Sequence, residues 1–506
     1  MGLKSARDTL VERIQTVAET SADLEQLSYA GASLAKLVDI DFDVLPTDGA
    51  YGIGKPGEFG FGQSAIPDEL LPAGFIKLNG HDDVASPNYG NVMDAQGSIF
   101  IYRPKFYYKM TGNVISIADK PTTGYVMPYA FNYHPNGFLQ FAYLAGNEGG
   151  KMVSKPMLDP LSTSGAHNPI GNLIVAPANN YGGFVDACAG NGYTAMTIFE
   201  WQLIGLIALA QSQSGAGAAL VAYNDVLPHF PKGNLASALK DYNDSSVTFT
   251  ASGYSNCALT GSGSNVAKTT DNGQSCGVKD VTGNMWKIGI GLTYLAKTGA
   301  TCANGDTAVA MPNHGLAVND VIYFGGTPSS GSTYNTGAYT VTEVSDGSNF
   351  KVGAALERAI SNTDGVYSPR YFRILKPSVH PSTLTASNLL DESNYDLLNL
   401  TGLIDGNSGT VYFGNGANQV LNFSTDTNST EYKAASCGIP TADGVNGSGT
   451  TDFGNDYIYK YLRNGLVPIV GGTWGSSSDA GVFACALHHY SSYSYNYVGG
   501  FASVSL

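Results

Sequence analysis

Charge is scarce in this sequence. Only 13% of the 506 residues are Asp, Glu, Lys or Arg, well below the roughly 25% of an ordinary soluble domain. The balance is acidic, 26 basic against 41 acidic residues, for a net −15. A chain without clustered Lys and Arg cannot displace counterions from phosphates, which excludes a nucleic-acid partner. Long apolar runs are missing too. The best, Leu203 to Leu209, is too short to cross a bilayer, so no membrane insertion is expected. The opening MGLKSARDTLVERIQ carries charge where a secretory leader needs an apolar stretch. The six Cys (188, 257, 276, 302, 437, 485) form no CxxC pair and have no close His, and read as buried thiols.

Catalytic signatures are equally thin. Of eight His, only His488 and His489 are near neighbours. No HExxH, EF-hand loop, Walker loop or GxSxG occurs. Gly52-Ile-Gly54-Lys-Pro-Gly57 spells GxGxxG, but Pro56 and the following EFGFGQ cannot open a phosphate-facing helix. It is a glycine turn. Asp82-Asp83 reads as an exposed loop pair. No enzyme and no organic cofactor are called for. A structural Ca²⁺ or Mg²⁺ stays open, because loop carbonyls and scattered Asp could hold one.

What the sequence has is 63 Gly, 31 Tyr and 43% hydrophobic residues. That supplies a core, covered by the Tyr, Ser, Gly and Asn surface typical of recognition. Along the chain, Leu10, Ile14, Val17, Leu24, Leu27, Leu34 and Leu37 recur at helical spacing within 3–38. This predicts an amphipathic helix that either packs on its own domain or serves oligomerisation or docking (residues 1–46). Residues 47–90 form a Gly/Pro-rich β connector. Short strands are expected at Ser98–Tyr102 and Lys105–Met110, and one buried helix at Thr197–Gln211. Residues 298–355 alternate apolar and polar between turns, predicting a separable antiparallel β module. Its stretch His314 to Phe324 resembles small β modules of phage tails.

The three Trp sit in motifs: FEWQLI around Trp201, DVTGNMW from Asp280 to Trp286 with Gly283 and Asn284, and Gly471-Gly472-Thr-Trp474. In order and spacing these resemble the formylglycine-generating-enzyme branch of C-type-lectin-like folds. The resemblance implies an α+β lectin-like domain over 91–297 and 356–506, with 298–355 inserted. It does not carry the oxidase chemistry, since only Cys485 stands where that enzyme has a C-terminal Cys pair.

The chain's end is similar to the variable proteins diversified by retroelements, among which are phage receptor-binding proteins. Gly471, Gly472, Trp474, Ser478, Gly481, Ser492, Ser494, Val498 and Gly499 match that family's fixed framework. Thr473, Ser476, Asp479, Ala486, His488, His489, Tyr493, Tyr495 and Tyr497 occupy its variable slots. All are reachable from an AAC codon by changing adenines, and 471–506 contains no Lys, Glu, Gln or Met. Gly500-Phe501 departs from the Arg common after the last glycine, leaving the downstream limit open. Independently, Tyr490, Tyr493, Tyr495, Asn496 and Tyr497 crowd the two His without a charged neighbour. A core strand would have to pair every hydroxyl and imidazole, whereas a surface gains rigid contact area from them. A structural tyrosine patch is the alternative.

These observations together predict a phage tail-tip or fibre protein on the virion that binds a host-cell surface receptor, protein or glycan. The apolar stripe within 3–38, which has no evident partner helix nearby, further predicts a homotrimer or a symmetric tail assembly, joined to other tail proteins through the N-terminus. A bacterial surface or secreted lectin-like binder is the alternative, and a degenerate formylglycine-type oxidase a third. The variable slots are expected to face solvent.

Overall fold

The computed structural model describes residues 52–112, 114–214, 257, 259–261, 277–281, 283–326, 337–413, 421–440, 456–473, 476 and 481–506. The helix expected within 3–38, Cys276, Trp474, Ser478 and Asp479 lie outside the described residues.

The first strands are β1 (Ile76–Lys77), β2 (Asn91–Met93), β3 (Ile99–Arg103), β4 (Tyr107–Thr111), β5 (Val114–Ala118), β6 (Phe138–Phe141), β7 (Gly146–Glu148) and β8 (Lys151–Val153). Helix α1 (Tyr181–Gly190), β9 (Thr194–Ala195) and α2 (Ile198–Gln213) follow. Next come β10 (Trp286–Ile288), β11 (Leu292–Tyr294), β12 (Ala308–Ala310), β13 (Val321–Gly325), β14 (Tyr339–Asp346), β15 (Asn349–Val352) and β16 (Gly365–Tyr367). The chain ends with β17 (Phe372–Leu375), β18 (Tyr395–Leu398), β19 (Ser408–Tyr412), α3 (Thr430–Ser436), β20 (Tyr457–Tyr461), β21 (Leu466–Val470), β22 (Cys485–Tyr490), β23 (Val498–Gly499) and β24 (Ala502–Ser505).

Two larger sheets organise the body. One runs β1-β2-β3-β6-β24-β9, so the last strand of the chain is built into the first sheet. Ser503 lies opposite Gln140, and Ala502 opposite Ala195. The other runs β18-β17-β11-β21-β22-β20-β19, with β10 added to β21 and β23 to β10. The pairs β4-β5 and β7-β8 are separate hairpins.

This arrangement corrects the expected fold. Among the described residues the chain is β-rich, with strands in five sheets and only three α-helices, and it is not an α+β C-type-lectin-like domain. The physical reason lies in the length of the motifs. FEWQLI, DVTGNMW and Gly-Gly-x-Trp fix one helix start and two turns, but the order of strands in a sheet is set by pairings between segments hundreds of residues apart.

Helix α2 forms where expected, one residue later at its start and two at its end. Thr197 Oγ1 accepts the Glu200 N–H at 3.0 Å, and Glu200 Oε2 accepts the Thr197 N–H at 2.6 Å. This capping box satisfies two of the backbone donors that a helix start leaves over. Its side chains from Ile198 to Gln211 are buried all round, as its lack of a polar face requires. The other Glu200 oxygen faces His134 Nε2 at 2.9 Å, and His134 Nδ1 meets Ser505 Oγ at 2.8 Å. His380 Nε2 also reaches Ser505 Oγ, at 2.9 Å. A polar chain, buried at Glu200 and His134 and half-buried at Ser505 and His380, thus fastens the final strand to the start of α2.

The β module is tied in more firmly than its sequence implies. Its sheet runs β12-β15-β14-β13-β16, so the fifth strand lies beyond residue 355 and leads directly into β17. Arg370, just after β16, grips Asp320 of the module, with Nη2 at 3.0 Å from Oδ1. Tyr371 donates its hydroxyl to the His314 carbonyl at 3.0 Å. Deleting 298–355 is therefore expected to lower the melting temperature of the remaining body, not leave it unchanged, because β16 loses β13 and Arg370 loses Asp320. Scanning calorimetry on the intact and deleted chains checks this.

Burial raises the Glu200 pKa, but the His134 hydrogen bond and charge outweigh it and hold the carboxyl below its usual value. A depressed acid adds stability that is present above its unfolded pKa and lost as pH falls through the folded one. Glu200→Ala should cost about 3 kcal/mol or more, since it leaves a buried partner behind. Glu200→Gln should flatten the loss of stability below pH 4.5. Denaturant titrations across pH measure both.

Candidate binding face

The motif residues scattered over nearly 300 positions meet at one end of the second sheet. Asp280, Gly283 and Asn284 all adopt positive φ, 59°, 65° and 56°, coiling the DVTGNMW loop tightly. The Gly283 N–H donates to the Gly471 carbonyl at 2.8 Å, and Thr473 Oγ1 to the Asn284 carbonyl at 3.3 Å. The Trp286 N–H donates to the Tyr497 carbonyl at 2.8 Å, and β10 continues in parallel register, Trp286 with Val498 and Lys287 with Gly499. Trp201, buried in α2, donates its indole N–H to the Val482 carbonyl at 2.7 Å.

Two glycines are required by this convergence. Gly471 has φ 84°, and a Cβ there would stand 2.6 Å from the Val281 carbonyl and 2.8 Å from the Trp201 ring. A Cβ on Gly499 would stand 2.5 Å from the Leu161 carbonyl. Gly472 also takes a left-handed φ, 73°.

Residues 490–498 are held from beneath by backbone. The first N–H groups of α1, at Tyr181 and Gly182, donate to the carbonyls of Tyr493 and Ser491, both at 2.8 Å. Thr163 adds a double link to Tyr495. Its Oγ1 donates to the Tyr495 carbonyl at 3.1 Å and accepts the Tyr495 N–H at 3.0 Å. Ser494 Oγ reaches the Thr163 carbonyl at 2.6 Å. An irregular segment is thereby given a fixed shape.

On this support the rings form a continuous row. Tyr459 meets His488 edge-on at 4.9 Å between centroids, His488 meets His489 at 3.7 Å, and His489 stacks on Tyr493 at 3.8 Å. Tyr493 and Tyr495 lie 6.0 Å apart, Tyr495 and Tyr497 4.1 Å, and Tyr490 joins Tyr493 at 6.1 Å. Adjacent residues of a regular strand point to opposite faces. Here the β21–β22 register slips between Val467 and Ile469, and such a bulge breaks the alternation, so His488 and His489 join one row.

Exposure sorts the expected slots. Among them Tyr495 is 46% exposed; Tyr459, which was not among the expected slots, is 37% exposed. Thr473, Ser476, His488, Tyr490, Tyr493, Asn496 and Tyr497 are half-buried, and Tyr493 and Tyr497 pack against the core. Ala486 and His489 are buried. They do not face solvent as expected; their side chains form the layer beneath the face. The 493–497 tyrosines do share one side, though the segment is turn rather than strand.

Sequence reading missed the strand that completes the face. Tyr457, Tyr459 and Tyr461 of β20 alternate with buried Ile458 and Lys460, and β20 runs parallel beside β22. The period-two tyrosines were the available signal. Arg463 follows, its guanidinium carbon 4.5 Å from the centre of the Tyr461 ring.

The titratable groups of the face are displaced from their ordinary pKa values. Burial, then the charge of Arg463, lowers the His488 pKa to about 4. Burial, then His488, pushes His489 lower still. Burial and the neighbouring Tyr497 hydroxyl, 3.3 Å away, push Tyr493 far above its ordinary value. At neutral pH these groups therefore carry no charge and are poor proton carriers. Among the described residues no group of three His, Cys, Asp or Glu could hold a metal ion, and no helix is long and apolar enough to cross a membrane.

No family model matches the chain, and no curated protein is similar to it. Among solved structures, phage phi92 endosialidase aligns at 27% identity over 16% of this chain and 12% of that chain, with a TM-score of 0.11. A likeness that small says nothing about the fold of the whole chain.

Gly471→Ala should lower stability by about 2–4 kcal/mol, combining left-handed strain with overpacking against Trp201. Tyr495→Ala should change it by about 0.5 kcal/mol or less. Chemical denaturation of the two variants beside the parent protein checks the contrast.

Proposed function

We propose that this chain is a receptor-binding protein of a phage tail, carried on the virion, whose C-terminal aromatic face attaches to a host-cell surface. One observation carries the reading: a row of six rings from Tyr459 to Tyr497, electrically neutral and anchored on fixed backbone, with Tyr459 and Tyr495 open to solvent. Rigid aromatic side chains give large contact area at low entropic cost, and such residues dominate binding hot spots. The work is binding, not catalysis.

In this reading Thr473, Ser476, Asp479, His488, Tyr490, Tyr493, Tyr495, Asn496 and Tyr497 are the residues open to diversification at the ligand. Changes at Ala486 and His489 act from below. Gly283, Asn284, Trp286, Gly471, Gly472, Trp474 and Gly499 keep the shape. Residues 1–46 dock to other tail proteins and assemble a homotrimer, so that weak single contacts gain avidity. The apolar stripe within 3–38 supports that part.

The test is attachment of the labelled full chain to a panel of bacterial cells. Tyr495→Ala and Tyr459→Ala should each weaken attachment about tenfold, the size of one 1.4 kcal/mol contact, with melting unchanged. Full attachment by the double variant, or no attachment of the parent protein to any cell type, would overturn the reading.

A further inference from the structure

Two histidine rings share one serine hydroxyl at the end of the first sheet. His134 Nδ1 and His380 Nε2 stand 2.8 and 2.9 Å from Ser505 Oγ, with their ring centres 5.9 Å apart. His380 also caps the turn that follows it, Pro381–Thr383. Its Nδ1 accepts the Ser382 N–H at 3.2 Å and lies 2.7 Å from Ser382 Oγ. A neutral imidazole has one donor and one acceptor nitrogen. Nδ1 accepts here, so the proton sits on Nε2 and is offered to Ser505 Oγ. Ser505 then gives its own proton to His134 Nδ1, and the His134 Nε2–H goes to Glu200. With both rings neutral, one arrangement of protons serves every contact from Ser382 to Glu200. A second proton on His380 has no place in it, because an Nδ1–H would point at the Ser382 N–H, another donor.

The capped turn leads to the aromatic face. The Ala386 N–H donates to Asp186 of α1 at 2.8 Å, and Ala386 lies so close to Gly182 that a Cβ on the glycine would stand 3.0 Å from its own. The N–H groups of Tyr181 and Gly182 in turn hold the carbonyls of Tyr493 and Ser491. We propose that His380 is an acid-sensitive latch: a proton on its Nδ1 uncaps the turn, frees residues 381–386 from α1, and loosens the backbone beneath Tyr493. The groups that face the ring set where it opens. Burial, then His134, holds the His380 pKa below its ordinary 6.5, against the Tyr133 carbonyl and Glu200, which pull it up. The latched form therefore takes up a proton at lower pH than the open one. The stability it adds is complete above about pH 6.5 and is lost as pH falls through the folded value. The latch does not depend on what the face binds.

Amide hydrogen exchange on the full chain, followed from about pH 7.5 to about pH 5 and corrected for the intrinsic rate, tests this. Protection at Tyr181, Gly182 and Ala386 should fall with pH, by about tenfold for each unit by which the folded His380 pKa lies below the ordinary one. Val341 and Val352 of the β module, whose N–H groups bond the Asp320 and Thr307 carbonyls, should keep theirs. His380→Asn retains a capping acceptor that does not titrate and should remove the acid loss, whereas His380→Ala should lower protection at every pH. Unchanged protection in the parent protein across this range overturns the inference. An equal acid loss in His380→Asn overturns it too, and assigns the effect to other groups such as His134 or Glu200. Should His380→Asn fail to fold, the ring titration of His380 followed by NMR decides. Its midpoint must coincide with that of the protection loss, and two different midpoints overturn the latch. The binding function is judged separately, by cell attachment of the parent protein, Tyr459→Ala and Tyr495→Ala at neutral pH.

Discussion

The seating of α2 is the constraint on which the rest of this molecule depends. A helix apolar on every side has to be enclosed, and here it is enclosed by parts of the chain that are remote in sequence. The Ile198 N–H bonds the Ile290 carbonyl at 2.8 Å, tying the helix start to the segment between β10 and β11. Trp201 holds the Val482 carbonyl and presses on Gly471. Gly205 lets the Phe483 ring approach to a distance that a Cβ would block. Glu200 reaches the last strand through His134 and Ser505. One helix therefore sets the positions of β10, the Gly471-Gly472 turn, the start of β22 and the chain end.

From that enclosure follows the form of the aromatic face. β22 and β23 emerge from the segments that α2 fixes, and the loop between them is closed by Thr163 and by the first turn of α1. Its backbone is determined by groups that lie outside it. Side chains on such a loop can change with little effect on its path, provided they point outward. Tyr495 meets that condition fully. Tyr493 and Tyr497 meet it in part, because their inner edges belong to the core, and Ala486 and His489 do not meet it.

The face also explains an oddity of composition. A protein with so few charges and so many tyrosines draws part of its polar surface from uncharged groups, and the row from Tyr459 to Tyr497 concentrates them. Burial keeps the two imidazoles neutral, and Arg463 reinforces this by opposing a second positive charge nearby. The row remains an uncharged stacking surface with one cation at its margin.

Several features were legible in the sequence because they are local. The apolar run with Thr197 and Glu200 at its head specifies a capped, buried helix, since capping and periodicity act over a few residues. The crowding of Tyr and His between 488 and 497 marked an aromatic patch but not its exposure, since among these rings Tyr495 alone is exposed and His489 is buried. The reading of Gly52 to Gly57 as a turn also agrees with left-handed φ at Gly54 and Gly57. Sheet order was not legible, and the lectin-like expectation failed there. Strand pairing is decided by contacts such as Ser503 with Gln140, which no short motif encodes. The contribution of Tyr459 and Arg463 to the face was hidden for the same reason, since β20 and β22 become neighbours only through the sheet. Likewise the bulge at β22, which turns His488 and His489 into one row, depends on its register against β21. The sequence alone determined which residues could serve as rigid, neutral contact surface; the tertiary structure decided which of them stand together, because proximity between distant strands is a property of the sheet and not of either strand.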